Sequence, residues 1–236
     1  MRGNVVFVGA VVLSVIFGLS AIADDRKPVV KPYSLGYEEQ PEVAEETETE
    51  AQSEIQGNPE WVEFEEFETA LFVGDSRVVG MSQSSGRYSY IGKTGAGYDW
   101  LISSGEPELR KMLAEYPNMD VVLSFGVNDL GNLESYIAEY KKIKNDFPDT
   151  RIWVMSVMPV LESVEAQTGY SVQNSAVDNF NERLQEEFGD RYIDTYSYLI
   201  ANGFSTFDGV HYTGETYVDL ENYVVYFIMS NLNMEG

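Results

Sequence analysis

The sequence predicts a three-layer α/β/α sandwich built around a five-stranded parallel sheet and occupying residues 61–236. Two observations predict it. Short apolar runs alternate with longer amphipathic stretches, the order that puts strands into a parallel sheet with helices on both faces. Three segments rich in small polar residues follow strand candidates, and in such sheets functional groups gather beyond the carboxyl ends of the strands.

Taken in chain order, the first 23 residues form a targeting segment. Arg2 and the α-amine supply a positive start, residues 5–23 carry no charge, and Ala21-Ile22-Ala23 has the small-x-small form of a cleavage site ahead of Asp24 and Asp25. The alternative is an uncleaved anchor, because 19 residues at about 1.5 Å each nearly cross a bilayer core of roughly 30 Å. Both readings place the remainder outside the cytoplasm, secreted or held at the outer face of the membrane. Residues 24–60 read as a disordered acidic linker. They carry Pro28, Pro32, Pro41 and Pro59 and an acidic run from Glu38 to Glu54, with too little apolar surface to offset the entropy of ordering.

The texture changes near Trp61. Strand candidates are 70–73, 88–91, 121–125, 152–155 and 192–193, and helix candidates are 106–116, 133–147, 172–188 and 214–232. Five strands separated by such helices suit a flavodoxin-like order. No internal repeat is present.

Composition removes several function classes. With no cysteine there is no disulfide, thiolate metal site or cysteine nucleophile. A net charge of −24 argues against nucleic acid and against anionic lipid surfaces as partners. The chain has one histidine, His211, so imidazole chemistry has a single address and a multi-histidine zinc site cannot be built. The reading requires no metal and no organic cofactor.

The chemistry-bearing segments are Gly74-Asp75-Ser76-Arg77, Gly126-Val127-Asn128-Asp129 and Asp208-Gly209-Val210-His211. A serine hydroxyl is a weak nucleophile until a base takes its proton, and His211 is the side chain suited to that near neutral pH. Asp208, three residues before it, is about one turn away if the loop is helical. Its carboxylate can then accept from the second ring nitrogen and steady the imidazolium. Taken alone, Ser76 would read equally well as a helix N-cap.

These blocks, with a glycine in the intervening loop at 92–97, resemble the SGNH (GDSL-like) hydrolases, in order and over nearly the whole domain. The resemblance implies that fold, ester hydrolysis through an acyl-enzyme on Ser76, and a catalytic set of Ser76, Asp208 and His211. It also implies an oxyanion hole from the Ser76 N–H, a loop glycine and the Asn128 amide. Gly95 is matched to that glycine, with Gly97 the second candidate. Asp75 and Asp129 are expected to brace their loops. Arg77 departs from the apolar residue common after the serine. A cation in a helix's first turn opposes the macrodipole, so an acidic partner is expected. The absence of a G-x-S-x-G elbow argues against the α/β-hydrolase fold.

The expected substrate is an acyl ester with a short acyl group, acetyl foremost, on a carbohydrate or cell-envelope glycan. Tyr98, Trp100 and Tyr212 lie beside the active loops as candidate sugar platforms or as cover for the sheet. Competing readings are a glycan O-acyltransferase, a lipid-directed esterase and a non-catalytic surface-binding module.

Overall fold

The computed structural model describes residues 33–34 and 70–232. The expected signal or anchor segment lies outside the described residues, as does the acidic stretch apart from Tyr33–Ser34. That pair forms a short strand, β1, antiparallel to β7 (Ser205–Thr206).

The sheet consists of β2 (Ala70–Gly74), β3 (Ser89–Gly92), β4 (Asp120–Ser124), β5 (Arg151–Met155) and β6 (Tyr192–Ile193). Its order is β3-β2-β4-β5-β6, with every pairing parallel. This is the flavodoxin-like order, whose direction of winding reverses between its first and third strands. Here the reversal falls between β2 and β4, so the loops leaving those two strands flank a crevice.

The central strands β2, β4 and β5 are buried on both faces, which is why they read as apolar runs. Alternate residues serve opposite layers. Leu71, Val73, Val121, Leu123, Ile152 and Val154 pack on one side, against α3 (Glu106–Glu115), α4 (Leu133–Asp146) and α6 (Asn174–Phe188). Phe72, Val122, Trp153, Met155 and Ile193 pack on the other, against α1 (Ser76–Ser84), α7 (Thr195–Asn202) and α8 (Gly214–Leu232). In α6 the buried residues are Val177, Phe180, Asn181 and Leu184, the i, i+3, i+4, i+7 stripe of a helix with one apolar face.

Helical elements additional to the sequence reading include α1, α2 (Tyr98–Trp100), a π-helical stretch Leu101–Gly105, α5 (Glu162–Thr168) and α7. They are short, and α1 mixes Val, Ser and Gly, residues of modest or poor helix propensity. Tertiary contact sustains it, since Val78 and Met81 are fully buried against the sheet. The helix expected from residue 172 begins at Asn174, and the strand expected at 88–91 forms at Ser89–Gly92.

Candidate active site

The site forms where the loops after β2, β4 and β5 meet the loop before α8. Asp75 caps α1, its Oδ1 accepting the Arg77 N–H at 2.9 Å. Ser76 is therefore the first helical residue and not the cap, a correction to the simpler reading of that serine. Its side chain lies at the carboxyl edge of the sheet, over the positive end of the helix.

Ser76 Oγ lies 2.9 Å from His211 Nε2, and His211 Nδ1 lies 2.6 Å from Asp208 Oδ2. The 207–211 segment is a series of bends and not the helical turn considered from the spacing. Asp208 organises it with its other oxygen, which accepts the N–H groups of Val210 at 3.0 Å and His211 at 2.7 Å. Thr206 Oγ1 braces it from below, donating to the His211 carbonyl and accepting from Gly209 N–H. These donors and the imidazole hold the Asp208 carboxyl down at about 2 against its partial desolvation. It is ionised across the neutral range and positioned to favour the Nδ1–H tautomer.

Asp129 and Asp75 behave as braces. Asp129 Oδ2 accepts from Tyr98 N–H at 2.7 Å and Asn132 Nδ2 at 2.9 Å, and its Oδ1 accepts from the Tyr136 hydroxyl at 2.7 Å. One carboxylate thus ties the loop after β4 to the start of α2. Asp75 is buried, and desolvation raises its pKa to about 6 although the Arg77 charge, the Arg77 N–H and His211 pull it down. A carboxyl whose folded pKa lies above the unfolded value of 3.8 holds its proton longer in the folded state. Stability from this group is full below about pH 4 and is lost as pH rises through about 6. Asp75→Asn keeps a good cap and cannot ionise. Relative to wild type it should gain up to about 3 kcal/mol between pH 4 and pH 8. Urea unfolding at both pH values checks this, and a wild-type-minus-variant difference independent of pH would refute it.

The expected acidic partner of Arg77 is not what the structure shows. The side chain is 1% exposed, and its guanidinium donates to three carbonyls. Nε reaches Val210 at 3.2 Å, and the terminal nitrogens reach Met158 at 2.8 Å and Pro159 at 3.3 Å. It also lies over the Tyr212 ring at 5.3 Å. The helix turns this cation inward, where carbonyls take its hydrogen bonds and the buried Asp75 carboxyl feels its charge.

In the glycine-rich loop, Gly95 has φ +72 and open space where a Cβ would stand. It occupies the third position of a turn closed by Ala96 N–H to the Lys93 carbonyl at 3.1 Å. Positive φ at that position is what calls for glycine. Gly97 stands immediately before α2, and a Cβ there would lie 2.6 Å from Asp129 Oδ2. The Ala96 carbonyl, in the same peptide as the Gly97 N–H, accepts from Asn128 Nδ2 at 2.8 Å. Gly97, rather than Gly95, is the glycine locked to the Asn128 loop.

Of the aromatic candidates, Tyr212 is 2% exposed and its hydroxyl donates to the Pro159 carbonyl, so it is no platform. Tyr98 and Trp100 pack against the core, Tyr98 edge-on to Tyr136 and Trp100 tilted on Phe125. The aromatic that does face the site is Tyr170, 42% exposed, with its ring 5.9 Å from the imidazole of His211. It lies in the β5–α6 connection, outside every motif, and only the tertiary fold brings it there. This connection also walls an open cleft of about 480 Å³ beside Asn128, lined by Asp129, Leu130, Ser171 and Gln173 among others.

No family model and no curated protein sequence matches the chain. Solved structures do match it. A lipase/acylhydrolase from Enterococcus faecalis is 17% identical with a TM-score of 0.51, over 69% of this chain and 96% of that one. A Bacteroides fragilis protein described as an acylhydrolase is 16% identical with a TM-score of 0.54, over 70% and 86%. A Streptococcus pneumonia protein described as platelet activating factor is 22% identical with a TM-score of 0.51, over 68% and 84%. With the five-stranded parallel sheet and its strand order, these likenesses give the chain the fold of the SGNH (GDSL-like) hydrolases.

Proposed function

We propose that the chain is an extracytoplasmic serine esterase that removes short acyl groups, acetyl foremost, from a carbohydrate or cell-envelope glycan. The observation that carries the hydrolase reading is the hydrogen-bonded series Ser76 Oγ, His211 Nε2, His211 Nδ1, Asp208 Oδ2. In the first half-reaction His211 takes the Ser76 proton as Oγ attacks the ester carbonyl, and Asp208 steadies the imidazolium. The oxyanion receives hydrogen bonds from the Ser76 N–H, at the positive end of α1, from the second Asn128 amide hydrogen and from the N–H of a loop glycine. The resemblance matches that glycine to Gly95, with Gly97 the second candidate. Collapse of the intermediate expels the alcohol, which leaves with the His211 proton. Water then repeats the sequence in reverse, with His211 again as base, and releases the acid.

Two features support the substrate class. The cleft beside Asn128 is open and carries several polar side chains, which suits a hydroxylated alcohol better than a long alkyl chain. Tyr170 offers a half-exposed ring at the rim, the kind of surface on which the apolar face of a sugar packs. The uncharged, then acidic, N-terminal segment supports export, and the net charge of −24 discourages approach to anionic phospholipid. The test compares kcat/KM for acetyl, butyryl and octanoyl esters of one leaving group, together with acetate release from an acetylated oligosaccharide. Acetyl should be preferred and acetate released. A preference for octanoyl of about tenfold or more, about 1.4 kcal/mol, with no acetate from the glycan, would point to a lipid-directed esterase.

A further inference from the structure

Arg77 is the chain neighbour of Ser76, and its side chain touches both chain neighbours of His211. Nε donates to the Val210 carbonyl, and the guanidinium lies over the ring of Tyr212. Its remaining donors hold Met158 and Pro159 in the loop after β5. Tyr212 closes the circuit, because its hydroxyl donates to the same Pro159 carbonyl. A planar cation with donors in a fixed fork fits carbonyls arriving from two loops, whereas an ammonium is a compact point charge.

We propose that Arg77 is a positioning residue that sets the distance and angle between Ser76 and His211 by bracketing the imidazole's chain neighbours from the nucleophile's own helix. It touches neither Oγ nor the ring and acts through the backbone. Its charge serves the same end, since hydrogen bonds from an ionised donor are shorter and stronger than neutral ones. The carbonyls it satisfies explain why a buried arginine is tolerated with no carboxylate hydrogen-bonded to its guanidinium among the described residues. The proposal rests on the serine-esterase reading, and its consequence is specific. Disturbing Arg77 should loosen the Ser76–His211 hydrogen bond while leaving the cleft beside Asn128 intact.

The test uses Arg77→Lys and Arg77→Met in the full chain, assayed at a temperature where near-UV circular dichroism shows each fully folded. A displacement of about 1 Å in a reacting pair costs on the order of 10²-fold. The expected result is a fall in kcat of about that size for Arg77→Met and a smaller fall for Arg77→Lys, with KM within about threefold of wild type. The rate of labelling by a fluorophosphonate should fall in parallel, since that reagent reports Ser76 activation and not cleft binding. As the chain has one histidine, the imidazole NMR resonances are assigned without ambiguity and should shift in both variants. Folded variants with wild-type kcat and labelling rate would overturn the proposal, as would losses that merely follow the unfolded fraction. If neither variant folds, Tyr212→Leu removes the ring beneath the guanidinium and carries the same test, with unchanged kcat and labelling refuting the proposal. A wild-type protein that the reagent does not label refutes the esterase reading itself. A labelled wild type with indifferent variants refutes only the role of Arg77.

Discussion

Ser76→Ala and His211→Ala should each lower kcat for ester hydrolysis by on the order of 10⁴- to 10⁶-fold, and the double variant should be scarcely worse than either. The reason lies in the geometry. The two side chains share one hydrogen bond of 2.9 Å. Neither contributes without the other, because an unactivated hydroxyl is a poor nucleophile and an imidazole with no proton to take is idle. Their losses therefore overlap instead of adding. The fold should survive, since Ser76→Ala keeps the Cβ and removes only Oγ, and α1 is capped by Asp75 and not by Ser76. Steady-state kinetics on an acetyl ester, with unfolding midpoints beside them, measure both halves. Turnover near wild type in Ser76→Ala would remove that residue from the mechanism. An additive loss in the double variant would mean that the two side chains act in separate steps. The single histidine gives a second route to the same result. Chemical modification of imidazole should abolish activity in wild type, and the loss can be traced to one ring.

Much of this arrangement is legible in the sequence because it is local or chemically forced. The apolar runs of β2, β4 and β5 announce a sheet buried on both faces, and a lone histidine three residues after an aspartate leaves few alternatives for the base. What the sequence withholds is tertiary. The turn preference of Gly95 and the close approach of Gly97 to Asp129 both read simply as glycine, and only the folded loop separates the two. Arg77 reads as an unfavourable cation at a helix start, because side-chain charge is visible in sequence whereas backbone carbonyls converging from two distant loops are not. Tyr170 carries no motif, and the connection that holds it is anchored by contacts that no periodicity encodes: Leu161 N–H to the Gly209 carbonyl and Thr168 Oγ1 to the Asp208 carbonyl. Tyr212 misleads in the opposite direction. Beside His211 in sequence, it is turned inward by its hydroxyl's bond to Pro159.

Asn128→Ala should lower kcat by about 10²- to 10³-fold, or about 2.7–4 kcal/mol, the usual cost of one oxyanion donor, with a much smaller effect on KM. Both amide hydrogens have a part in this. One is committed to the Ala96 carbonyl at 2.8 Å, which fixes the amide plane and holds the Ala96–Gly97 peptide in place. The other has no partner among the described residues and would meet negative charge as it develops on the substrate oxygen. Because the donor is fixed before reaction, little reorganisation opposes it in the transition state, and the ground-state carbonyl gains less from it. Truncation also frees the Ala96–Gly97 peptide from the Asn128 loop, so the loss should sit toward the upper end of the range. Glycine substitutions separate the two contributions. Gly97→Ala forces a methyl against the Asp129 carboxylate and should reduce kcat strongly. Gly95→Ala meets open space and should cost mainly the strain of positive φ, about 1 kcal/mol, with kcat little changed. If Asn128→Ala changes KM alone, the amide binds substrate and transition state alike, and the oxyanion assignment fails. If Gly95→Ala and not Gly97→Ala is the damaging change, the donor returns to Gly95.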